Sequence, residues 1–165
     1  MDRTEALLAI AQISLGLAGF GGVFVAVGGR AAGRSPADTY RLVMLQSTAL
    51  STLVLSLLPV AFTGLGASED TAWRCSSALL AVLLVGVVVA ARRLRRPYEA
   101  EIRIGEQRTV ARLLWVGAFA CLAAQLPNAL GLFGERAFGV FFASLVFLVA
   151  FGSYLFARML FLWRG

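Results

Sequence analysis

The chain has 165 residues, 59% of them hydrophobic and 15% charged, with a mean hydropathy of +0.82. Soluble domains carry about 25% charged residues, so this composition excludes an ordinary water-soluble globule and points to lipid as the solvent. The formal charge of +6 comes entirely from arginine, which flanks apolar runs and so argues for anionic lipid headgroups, and against nucleic acid, as the partner.

Cutting the sequence at its charges leaves five uncharged runs, residues 6–29, 42–68, 75–91, 113–134 and 137–157. Each is about long enough for a helix to cross a hydrocarbon core of about 30 Å at 1.5 Å per residue. The alternating pattern of a membrane barrel is absent from runs this uniform. The expected fold is therefore all-α, a polytopic transmembrane helical bundle with five spans in a single domain over residues 1–165. The helices are predicted at about residues 3–29, 36–66, 69–96, 107–131 and 136–163.

Helix punctuation supports these bounds in chain order. Asp2 and Glu5 stand three apart, as a capping box requires, and acids before the first run resemble a retained span more than a cleaved signal peptide. Gly28 and Gly29 stop that helix, and Ser35, Pro36 and Asp38 open the second with an N-cap, an N1 proline and an acid in the first turn. Ser68, Glu69 and Asp70 open the third. Pro97 ends it behind Arg92, Arg93, Arg95 and Arg96, the densest basic cluster in the chain. A polar loop over residues 92–112, expected to lie on the headgroups and to be part helical, leads to the fourth helix. The short turn Gly131 to Arg136 makes the fourth and fifth helices antiparallel neighbours. A weak repeat pairs Leu58-Pro59 with Leu126-Pro127 across the two hairpins.

Arginine distribution gives the orientation, because positive residues in short loops stay in the cytoplasm. With the N-terminus out and the C-terminus in, the inner side carries Arg30, Arg34, Arg41, Arg92, Arg93, Arg95, Arg96, Arg103, Arg108, Arg112, Arg158 and Arg164, leaving only Arg3, Arg74 and Arg136 outside. The cluster from Arg92 to Arg96 thus reads first as a topology signal and second as a contact for anionic lipid in the cytoplasmic leaflet.

Three sets of residues are candidates for function. Gln12, Gln125 and Asn128 are amides expected in the outer third of the membrane, and with Ser56 near Pro59 they suggest an outward polar vestibule, or interhelical hydrogen-bond glue. Ser14, Ala18, Gly22 and Ala26 fall every four residues on the first helix, the small-xxx-small pattern of close packing within one chain or between copies. Thr48 and Thr52, one turn apart and continued by Ser56, are a hydroxyl row that would bond its own backbone or line a wet pore. Cys75 and Cys121 sit at different depths, no CxxC occurs and histidine is missing, so no metal or cofactor is expected. Without an acid-base couple, nucleophile motif or phosphate loop, an enzyme is not expected.

The stretch Ser14 to Val27, SLGLAGFGGVFVAV, resembles the first span of small uncharacterised bacterial multi-span inner-membrane proteins with an LAGF and glycine-rich opening helix. That resemblance implies the bacterial inner (plasma) membrane and no particular activity. Together these readings lead to a homo-oligomeric channel or pore-like assembly. The alternatives are a non-conducting accessory or scaffold subunit and a small-solute transporter.

Overall fold

The computed structural model describes residues 2–28, 36–95 and 108–162. Its described residues form five long helices and no strand: α1 (Arg3–Gly28), α2 (Pro36–Gly64), α3 (Glu69–Arg95), α4 (Arg108–Ala129) and α5 (Ala137–Leu162), with a 3-10 turn, Gly134–Arg136, between α4 and α5. Ser35, Gly29, Arg96 and most of the loop expected to be part helical lie outside the described residues.

The helix ends follow from local chemistry. The Glu5 carboxylate accepts the Asp2 backbone N–H at 3.2 Å, one half of the capping box. Ser68 Oγ accepts the Thr71 N–H at 3.3 Å, so it caps α3 at N3. Two glycines in the left-handed region end α2 and α4. Gly66, at φ +89°, and Gly131, at φ +78°, each occupy the C′ position of a Schellman motif. Ala67 N–H reaches Phe62 O and Gly66 N–H reaches Thr63 O; Leu132 N–H reaches Pro127 O and Gly131 N–H reaches Asn128 O. The same device therefore closes both hairpins.

Three helices begin at one level. The Arg3 guanidinium lies 3.3 Å from Glu69 and 5.7 Å from the Phe138 ring centroid, which brings together the first turns of α1, α3 and α5. Trp73 packs edge-on to Phe138 and against Phe141, and Leu17 meets α5 deeper down beside Gly152. So α1, α3 and α5 run in one direction, while α2 and α4 return between them. The main core joins Leu7, Ile10, Leu55, Trp73, Leu80, Leu84, Phe141, Leu145 and Leu148 from four helices. A second cluster at the other end joins Leu42, Met44, Leu45, Leu155 and Met159.

Four helices are long and apolar enough to cross a membrane: residues 3–23 of α1, 39–64 of α2, 69–90 of α3, and 134–160, which is α5 with its preceding turn. The remaining helix, α4, carries Arg112 at one end and Gln125, Pro127 and Asn128 at the other, and these residues lower its apolar character.

Candidate functional site

The polar residues of the bundle interior collect toward the end where α1, α3 and α5 begin. α4 contributes Gln125 and Asn128, both fully buried. Their three-residue spacing puts them on one face of the helix, about 5–6 Å apart at Cβ. That face meets α5 in antiparallel register. Gln125 Nε2 donates to Val140 O at 3.2 Å and to Ser144 Oγ at 2.8 Å. One turn nearer the helix ends, Asn128 Nδ2 donates to Ala137 O at 3.0 Å and to Ser77 Oγ of α3 at 2.8 Å. The two amides thus form successive rungs between α4 and α5, and the second rung also ties in α3.

Each amide has one well-served end. Gln125 Oε1 and Asn128 Oδ1 are buried and accept no hydrogen bond, and the hydroxyls of Ser14 and Ser76 are likewise buried without partners. Ser56, also fully buried, returns its hydroxyl to Leu53 O at 2.8 Å.

Gln12 does not join this group. It is exposed on α1, where Gly16 and Gly19 share its side of the helix. Nothing lies within 4 Å of where a side chain would begin on either glycine. Sequence depth brought Gln12 level with Gln125, but α1 is apolar on every side, so no hydrophobic stripe sets the direction its amide takes.

The small-residue row of α1 also divides. Ser14 is buried and Ala18 half-buried, whereas Gly22 and Ala26 are exposed. Four residues advance 400° around a helix of 3.6 residues per turn, so a row spaced by four drifts about 120° over three steps. The face that packs on α2 instead continues from Ala18 to Gly21. Gln46 Nε2 donates to Ala18 O at 3.0 Å and lies 2.9 Å from where a Gly21 Cβ would stand. This close approach lets a side chain from α2 reach the α1 backbone.

Thr48, Thr52 and Ser56 are all buried inside the protomer. Thr52 Oγ1 donates to Thr48 O at 2.8 Å and Ser56 Oγ to Leu53 O, so these two hydroxyls serve their own helix backbone. At the opposite end Arg92 and Arg93 are exposed, and the Arg92 guanidinium sits 5.7 Å from the Trp115 ring centroid, a cation–π pair of the kind found at membrane interfaces. Arg95 is the last residue of α3.

Sequence reasoning did not single out Ser76, Ser77 or Ser144. Ser144 is the one hydroxyl of α5 before Ser153, and an isolated serine in an apolar helix is a signal that a polar partner faces it. No protein family, curated protein or solved structure matches the chain.

Proposed function

We propose that the protein is a homo-oligomeric, non-catalytic membrane protein of five spans whose copies pack through the open face of α1 and enclose a narrow pore-like path beside it. The observation that carries this reading is Gln12. Its amide lies about 13 Å along α1 from Arg3 at 1.5 Å per residue, exposed, with Gly16 and Gly19 open beside it. An amide facing hydrocarbon is costly, and an amide is its own complement: a second Gln12 supplies both the donor and the acceptor it lacks. Glycines at the same face let two helix backbones approach closely.

Five spans are supported by direction. α3 and α5 run the same way, so if both cross the membrane the chain must return between them, and α4 is the helix that lies there. The arginine distribution supports a cytoplasmic C-terminus and an anionic inner leaflet as the lipid partner. The LAGF-like opening helix supports a bacterial inner membrane. A second reading, a non-conducting scaffold, is favoured by the α2 hydroxyl row, which is buried within the protomer, with Thr52 and Ser56 bonded to their own backbone.

The experiment is oligomer mass in nanodiscs for the native chain and for Gln12→Leu, with solute flux from liposomes measured alongside. The proposal expects a defined oligomer that Gln12→Leu weakens, and flux that falls with it. An oligomer without flux supports the scaffold, and a strict monomer overturns both.

A further inference from the structure

The two buried amides of α4 have their orientations fixed by backbone, and that identifies which atoms lack a partner. Turning either amide over would set its oxygen against a carbonyl oxygen, Val140 O for Gln125 and Ala137 O for Asn128, at the 3.2 and 3.0 Å now spanned by hydrogen bonds. The nitrogens therefore face α5, and the unpartnered atoms are Gln125 Oε1 and Asn128 Oδ1. Both side chains are fully buried. Carried about a turn apart on one helix face, the two oxygens are neutral acceptors with no donor among the described residues. At the level of Asn128's partner Ser77, the buried Ser76 hydroxyl is also unpartnered.

The chemistry of this pair selects its ligand. Carbonyl oxygens repel anions. A divalent cation calls for carboxylates, and among the described residues no group of three His, Cys, Asp or Glu side chains comes together. A monovalent cation would leave its charge uncompensated among apolar side chains. What remains is a small neutral molecule carrying O–H or N–H donors, and buried waters characteristically make about three bonds to polar groups left unsatisfied by the protein.

We propose that Gln125 Oε1 and Asn128 Oδ1 form an internal binding site for a small neutral hydrogen-bond donor, with water as the resident occupant, where α4 packs on α5 and, through Ser77, on α3. The site is independent of how copies assemble, since both amides are buried within one protomer.

The test is nuclear magnetic resonance of the full chain in nanodiscs, labelled with nitrogen-15 at the glutamine and asparagine side chains. Gln125→Leu and Asn128→Leu identify the two signals by their loss. If either fails to fold, Ser144→Ala identifies Gln125 by shifting its signal while leaving Oε1 in place. Cross-relaxation from both side-chain amides to a proton at the water frequency, of the sign that marks contact and not chemical exchange, is the expected result. Unchanged contact during a titration with millimolar urea assigns water alone. Saturable loss of it, with movement of both amide signals, assigns a site that also accepts small solutes. Contact of both amides with protein protons only overturns the proposal.

Discussion

Asn128 joins three helices from inside the bundle, because its one amide group reaches α3 through Ser77 and α5 through Ala137 O. Interhelical hydrogen bonds in membranes average about 0.6 kcal/mol, and Asn128→Leu removes two while leaving Ser77 Oγ without that donor. Unfolding by graded detergent denaturation should show a loss of about 1–2 kcal/mol for Asn128→Leu. Gln12→Leu, at an exposed position, should leave protomer stability within about 0.5 kcal/mol of the native chain. The contrast measures what residue identity alone conceals. Gln12 and Gln125 are the same residue type in apolar helices, and the sequence carries their depth plainly. Their azimuth was not read from the sequence: Ser144 marks the buried side of Gln125 only once α5 lies against α4, and α1 offers no such mark. Likewise the α2 hydroxyls were legible as a row, while their burial depends on α2 lying among α1, α3 and α5.

At the scale of elements, the turns at Ser68 and Gly131 were legible, since these residues act through the local backbone and need no tertiary partner. Gly131 nonetheless carries a tertiary constraint that the sequence did not reveal. A Cβ there would stand 3.1 Å from Arg74 Nε, and Arg74 is itself paired with Asp70 at 3.4 Å. Gly131→Ala meets both the positive φ and this guanidinium, and should destabilise by about 1–2 kcal/mol in the same detergent assay. Gly86→Ala provides the opposite case: a glycine in the interior of α3 with nothing within 4 Å. It should stabilise by about 0.5–1 kcal/mol through helix propensity. Between helices, close approach is set by Gly21 against Gln46 on α1–α2 and by Gly117 against the Phe147 ring on α4–α5. A Cβ at Gly117 would overlap that ring, so Gly117→Ala must displace Phe147 or widen the α4–α5 seam. The expected result is a weakened Gln125–Ser144 rung, read as a shift of the Gln125 side-chain amide resonance.

Across the whole molecule the legible and illegible parts separate by range. The five-helix, all-α architecture follows from charge spacing and hydropathy, and four of the helices meet the length and composition of a membrane span. The common starting level of α1, α3 and α5 is what five alternating crossings imply, and they put Arg3, Arg74 and Arg136 on one side accordingly. The contacts at that level were not legible: Arg3 meets Glu69 and Phe138, residues far apart in sequence, and exposed pairs of this kind contribute about 0–1 kcal/mol each, too little to stand out in composition. Under the proposed five-span arrangement α4 is the return crossing, and with the arginine distribution this predicts that a reporter fused after Gly165 is cytoplasmic; activity of a periplasmic reporter there would reverse the orientation. The central claim concerns the surface left over, the α1 face carrying Gln12, Gly16 and Gly19. Its most direct measurement is disulfide cross-linking in native membranes, with Cys75 and Cys121 first replaced by serine. Gly16→Cys is predicted to give cross-linked dimers on mild oxidation while Ser14→Cys, buried on the opposite side of α1, gives none. Monomer alone from Gly16→Cys, or equal yields from the two positions, would contradict assembly through this face.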